Sequence, residues 1–190
     1  MPAEAVWEMC RQGGMEMEAA LSLVKPDVGL QDEYLSFYRE WKESGEQLIP
    51  WVISKDPSDF AQMVKWLQDN ERGENIPEGW VPDSTYWLVA DERRIVGAVN
   101  IRHALTERLF NAGGHIGYGI RPSERGKGYA TELLRLALEK TRELGLTDIL
   151  VVCDESNLAS EKVIQKNGGV PDTPFVEEDG NVVKRYWIHL

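Results

Sequence analysis

The chain has 190 residues, with 21 Lys and Arg against 32 Asp and Glu, a formal net charge of −11. That length suits one domain with enough core to stand without disulfides. The negative charge argues against nucleic acid and anionic membrane as partners. Two cysteines, Cys10 and Cys153, are too few for a disulfide framework and show no metal-ligand spacing, so a reduced, cytoplasmic protein without a bound metal is expected. No apolar run approaches the roughly 18–20 residues of a membrane helix. Residues 1–18 have no clear periodicity and no signal-peptide pattern, so they read as a loosely ordered leader to a single domain over 19–190.

Ala20 to Val24 reads as a short strand stopped by Lys25-Pro26-Asp27. Leu30, Tyr34, Phe37, Tyr38 and Trp41 then recur at helical spacing until Ser44-Gly45. A second helix follows Asp56-Pro57-Ser58 with Phe60, Met63, Val64 and Leu67 on one face, and 72–82 is a Gly/Pro-rich loop. Thr85 to Val89 and Ile95 to Ile101 form a hairpin, and His115 to Ile120 a strand whose glycines imply a close backbone approach. Ala130, Leu133, Leu134, Ala137, Leu138 and Thr141 mark an amphipathic helix, and 148–153 a buried strand that ends on Cys153, read as a core thiol. Ser156 or Asn157 caps a short helix closed by Gly168, and residues 175–190 form a terminal hairpin around Asp179-Gly180. The order β α α β β β α β α β β implies a mixed α/β (α+β) fold, with one crossover from 115–120 through a helix to 148–153.

The chemistry concentrates in Gly119-Ile120-Arg121-Pro122-Ser123-Glu124-Arg125-Gly126-Lys127-Gly128-Tyr129-Ala130. A strand runs into a glycine-punctuated turn that opens a helix, which gathers backbone N–H groups where they can cradle a phosphate. The window 116–130 carries Arg121, Arg125 and Lys127 against Glu124, a balance of +2 inside a chain of −11. It is not a Walker A loop, because Gly128 follows Gly126-Lys127, and it is not a dinucleotide fingerprint.

Arg125-x-x-Gly128-x-Ala130 resembles the pyrophosphate-binding motif of the GNAT superfamily of acyl-CoA-dependent N-acetyltransferases. Residues 115–122 look like that family's fourth strand. Asn157 to Ser160, with the helix to Gly168-Gly169, looks like its last helix motif. The resemblance is strong over 85–170 and consistent in element order over 19–84. It implies a central, mostly antiparallel sheet with one parallel splayed pair, flanked by helices, and acetyl-CoA as cosubstrate. It also implies that backbone N–H groups from Arg125 through Gly126, Lys127, Gly128 and Tyr129 to Ala130 hold the pyrophosphate. Ile120, Arg121 and their neighbours would pair with the pantetheine arm, Asn157 would bond it from the other side, and Ser160 would lie near the sulfur.

Many members place a Tyr in the last helix to protonate the departing thiolate, whereas this chain has Ile164 there. In that respect it is similar to the ribosomal-protein-acetylating branch. Ser160, Tyr118 or water are the alternatives for the acid. An alkylamine is mostly protonated at neutral pH, so a base helps; His115 is the first candidate and His103 the second. No Ser/His/Asp array or GxSxG elbow is evident, and Cys153 beside Asp154 and Glu155 is ill placed for thiolate activation. The same residues also admit an acyl-CoA-binding module without turnover, or a partner subunit with a vestigial site.

Residues 31–92 hold 14 acidic and 5 basic residues, and five of the seven Trp lie at or before Trp80. Within the family this region shapes the acceptor site. That suggests an amine acceptor, small molecule or protein, with a cationic one among the candidates and Trp51 and Trp80 as the aromatic walls. Tyr34, Phe37 and Trp41 fit a core face instead. Dimers are common in the family, so a homodimer is possible.

Overall fold

The computed structural model describes residues 20–74, 76–91 and 93–190. The expected leader over 1–18 and Cys10 lie outside the described residues. The elements are β1 (Leu21–Val24), α1 (Gln31–Ser44), α2 (Phe60–Arg72), β2 (Asp83–Ala90), β3 (Arg94–Arg102) and β4 (Ile116–Ile120). They continue with α3 (Tyr129–Glu143), β5 (Asp148–Asp154), α4 (Leu158–Lys166), β6 (Val170–Val176) and β7 (Val182–His189). The order of strands and helices is the one expected from the sequence. Short helical turns at Val28–Leu30, Trp51–Ser54 and Pro122–Glu124, and a π-type turn at Leu109–Gly113, occupy stretches read in sequence without regular structure.

The strands form two sheets, ordered β1-β2-β3-β4 and β5-β7-β6, and every ladder is antiparallel. β4 and β5 face each other across the seam without a ladder. Their junction is held at one point, where His115 N–H donates to the Leu150 carbonyl at 2.7 Å. The expected splayed pair is therefore open along nearly its whole length.

Helices cover both faces, which is why all eight residues of β2 are buried. Tyr86, Leu88 and Ala90 face α3, with Val96, Ile101, Leu133, Leu134, Ile149 and Ile164. Trp87 and Val89 alternate to the other side and pack with Tyr34, Phe37, Trp41, Ile53, Phe60, Met63 and Leu67 from α1, α2 and the turn between them. Tyr34, Phe37 and Trp41 are thus core residues, as their helical spacing suggests. Asp59 caps α2 by accepting from Gln62 N–H at 3.0 Å, and Gly45 and Gly73 close α1 and α2 in the left-handed conformation.

Candidate active site

β4 runs from the seam into the loop at 121–128 and then α3. Its hydrogen-bond alternation is readable from Arg121 N–H to Val96 O and Arg102 N–H to His115 O, which place 115, 117, 119 and 121 in hydrogen-bonded register with β3. The polar edges of Ile116, Tyr118 and Ile120 consequently turn towards β5, where no ladder takes them.

The loop that follows is built to present donors. Gly126 and Gly128 adopt φ of 78° and 83°, a region that favours glycine. Among the described residues, none of the backbone N–H groups of Gly126, Lys127, Gly128, Tyr129 and Ala130 finds an acceptor within the protein, whereas those of Thr131 and Glu132 return to Gly128 O. Five consecutive donors at the start of a 15-residue helix form a concave anion site.

The basic side chains around it are not free arms. Arg121 is buried and turns to α1, where it pairs with Glu40 and donates to Ser36 Oγ at 2.9 Å. Glu40 also accepts Ser123 N–H at 2.8 Å, so one carboxylate anchors both ends of the turn. Burial opposes the charged form of Glu40, but the bonds from Ser123 and Arg121 outweigh it and hold the carboxyl below its usual range. Arg125 donates to Ile120 O at 3.2 Å, forks onto Glu46 at 2.9 and 2.6 Å, and lies over the Trp41 ring. Lys127 and Arg94 converge on the buried Glu124. The expected basic spot therefore presents free backbone N–H groups, while its basic side chains are tied to carboxylates that brace the loop.

A model of the acetyltransferase (GNAT) domain matches residues 27–170. The chain belongs to the GNAT acetyltransferases. No curated protein matches the sequence at a significant level. Among solved structures, a ribosomal L7/L12 α-N-protein acetyltransferase, RimL, aligns at 16% identity and TM-score 0.64, covering 94% of this chain and 98% of that one. The microcin C7 self-immunity acetyltransferase MccE, solved with acetyl-CoA and AMP, aligns at 15% and 0.63, covering 94% and 97%. A spermidine N-acetyltransferase from Vibrio cholerae aligns at 16% and 0.58, covering 90% and 94%. At these identities the likeness is one of fold. GNAT acetyltransferases use acetyl-CoA, and the free donors at 126–130 suit its pyrophosphate.

The GNAT site places the remaining candidates as follows. Asn157 caps α4 by accepting Ser160 N–H on its Oδ1 at 3.0 Å, which leaves its amide N–H₂ exposed. Ser160 Oγ lies 2.9 Å from Tyr118 Oη, across the mouth of the β4–β5 gap. Burial pushes the Tyr118 phenol up to about 12, so it keeps its proton. Ile164 is fully buried in the core and offers no proton. Cys153 is also buried, and burial first, then Glu161, raises its thiol to about 11, which agrees with an inert core cysteine.

The histidines are engaged. His115 is buried and its Nδ1 accepts Leu150 N–H at 3.0 Å, so the ring and its own backbone together staple β4 to β5. In the neutral ring the proton then sits on Nε2, and no lone pair is left to abstract another. Burial, with Arg102 nearby, lowers its pKa to about 4. His103 Nε2 lies 2.9 Å from Ser84 Oγ, which donates to Glu71. This is a serine, histidine and carboxylate cluster that local spacing did not reveal. It is not a triad: the carboxylate contacts the serine rather than the imidazole, and Ser84 is completely buried.

Strand alternation puts Arg102 on the opposite face from His103. There a cavity of about 300 Å³ is lined by Trp51, Trp80, Val81, Asp83, Arg102, Leu109 and Gly113, among others. Trp51 stacks edgewise on Trp80 with centroids 4.9 Å apart, so the two expected wall residues do meet. The regional acidity is not concentrated here. Glu40, Glu46, Asp69, Glu71 and Glu74 are paired to bases elsewhere, and the cavity holds Asp83 and Glu177 against Arg102 and Arg108. That mixed lining departs from an acidic pocket for a cation. Asp83, buried at the start of β2, accepts from Asn100 Nδ2, and burial raises its pKa against the opposing effects of Asn100 and Arg102. The sequence flagged neither Asp83 nor Arg102. The only available signal was a charged residue at each end of an apolar hairpin, which usually means strand ends facing solvent.

Proposed function

We propose that this protein is an acetyl-CoA-dependent N-acetyltransferase that brings its cosubstrate and an amine together in a ternary complex for direct attack. The observation that supports this most is the run of five unpaired N–H groups at 126–130, placed where β4 opens away from β5. These groups hold the pyrophosphate. The outward backbone edges of Tyr118 and Ile120 take the pantetheine amides as an added strand would, and Asn157 closes on the arm with its free amide. When bound, acetyl-CoA supplies a thioester as the acyl donor. A backbone N–H of splayed β4 stabilises the oxyanion. The Tyr118–Ser160 pair donates a hydrogen bond to the departing sulfur, the role for which Ile164 is unsuited.

On the acceptor side, the amine enters through the cavity walled by Trp51 and Trp80. Of the two carboxylates in the lining, Asp83 serves as the proton acceptor, since burial raises its affinity for a proton. Register places it two strands from β4, roughly 10 Å, so the proton crosses by water. His115 does not offer that route because its Nδ1 is taken by Leu150 N–H, and His103 does not because it lies on the opposite face of the sheet. A cytoplasmic setting fits the free thiol of Cys153.

Isothermal titration with acetyl-CoA, followed by thiol release over a panel of amines, tests the proposal. Micromolar binding with amine-dependent release is expected. Binding without release from any amine would leave only a binding module, and no binding would refute the site.

A further inference from the structure

The cavity beside Trp51 contains a partly buried side chain whose hydrogen-bonding capacity is only partly used. Arg102 is half-buried, and its Nη1 is committed to the carbonyls of Gly113 at 2.8 Å and Gly114 at 3.2 Å. Among the described residues, its Nε and Nη2 have no acceptor, and it forms no ion pair within salt-bridge distance. A Cβ placed on Gly117 would lie 3.5 Å from Nη2 and 3.8 Å from Nη1, so the guanidinium rests against the centre of β4. Gly117 directly precedes Tyr118, whose outward edge is proposed to take the pantetheine, so the free donors of Arg102 lie beside the strand where the acceptor nitrogen meets the thioester.

We infer that Arg102 is the anchor for a carboxylate on the acceptor, and that the acceptor is an α-amino acid with an apolar or aromatic side chain. This rests on the acetyltransferase reading above and names its substrate class. A guanidinium fixed on one nitrogen and open on another edge binds a carboxylate with little further ordering. Its charge is only partly answered by Asp83, its cross-strand neighbour, and burial lowers its pKa, so an incoming carboxylate compensates a desolvated cation. A carboxylate held there sets an α-amine two bonds away, beside β4. The rest of the lining suits the remainder of the molecule: Trp51, Trp80, Val81, Leu109 and Ala112 supply apolar surface. Arg108 also lines the cavity without an ion pair among the described residues and offsets Glu177 there. The volume of about 300 Å³ takes one amino acid and little more.

The test compares L-phenylalanine with phenethylamine and L-phenylalaninamide, which keep the ring and amine but lack the carboxylate. Both binding, by titration into protein saturated with CoA, and kcat/KM are measured. The amino acid should exceed both analogues by about tenfold or more, the scale of a charge-assisted contact. Arg102→Lys, which keeps a cation but loses the fork, should narrow that gap to within about threefold while leaving acetyl-CoA affinity unchanged. If loss of the Nη1 contacts unfolds that variant, the analogue series in the wild-type protein still decides. Equal or better use of phenethylamine would overturn the carboxylate anchor and leave the acetyltransferase reading intact. Amino-acid binding without acetyl-CoA binding would do the reverse.

Discussion

Glu40→Ala removes the carboxylate that joins α1 to the phosphate loop, and its effect can be worked from the geometry. The Arg121 side chain is only 6% exposed, so the variant leaves a buried guanidinium with Ser36 Oγ at 2.9 Å and Ile95 O at 3.5 Å as its remaining partners. Breaking a buried ion pair from one side costs about 3–5 kcal/mol. The Glu40 side chain is itself 27% exposed, and water entering there favours the lower end, about 3 kcal/mol. For a chain of this size that is a fall in Tm of roughly 6–12 °C. Ser123 N–H also loses its acceptor, so the turn ahead of Gly126 loosens and acetyl-CoA affinity should fall at a temperature where the variant is still folded. Thermal unfolding by circular dichroism and titration calorimetry read the two effects. The pH dependence has a definite sign. The folded-state pKa of Glu40 is below its unfolded value of 4.5, so its contribution is complete above about 4.5 and is lost as pH falls through the lower folded value. Acidification should thus cost the wild type more stability than Glu40→Gln. A Tm within about 2 °C of wild type, together with unchanged affinity, would refute the idea that this carboxylate braces the loop.

Five other substitutions probe the site. Gly119→Ala would put a Cβ 2.2 Å from the Ile49 carbonyl oxygen and 2.4 Å from the Trp41 ring, so it should cost about 1–3 kcal/mol in urea unfolding; a neutral result would mean the 46–51 loop yields freely. Ser160→Ala and Tyr118→Phe should each lower kcat by about tenfold or more with KM for acetyl-CoA little changed, and unchanged kcat in both would remove the pair from the reaction. His115 and Asp83 separate by pH. Burial sets the His115 pKa at about 4 against 6.5 unfolded, so native stability should decline as pH falls from about 6.5 towards 4, and His115→Asn should flatten that decline without removing the acidic limb of the rate profile. Asp83→Asn should remove that limb. Loss of the limb in His115→Asn alone would restore the histidine as base.

Much of the architecture follows from local pattern. The 3.6-residue recurrence of Tyr34, Phe37 and Trp41, the alternation through 85–101, and the glycines closing α1, α2 and α4 each act within one element, so they are legible along the chain. The conformation of the loop at 121–128 is legible for the same reason: Gly126 and Gly128 adopt positive φ, and the donors they release are consecutive in sequence. Side-chain destinations are not local. Arg121 and Arg125 look like arms for an anion until α1 and the loop after it bring Glu40 and Glu46, roughly eighty residues away, against them. His115 looks like a base until the opening of β4 from β5 leaves Leu150 N–H for its Nδ1 to satisfy. Acidic excess over 31–92 looks like a cation pocket until pairing disperses it and two strand ends place Asp83 beside Arg102. Backbone conformation is set by neighbours in sequence, so this chain declares its fold and the glycine-built loop of free donors by itself. Partnering of charges is set by neighbours in space, and only the packed structure decided which of its charged residues brace the site and which remain free to meet a substrate.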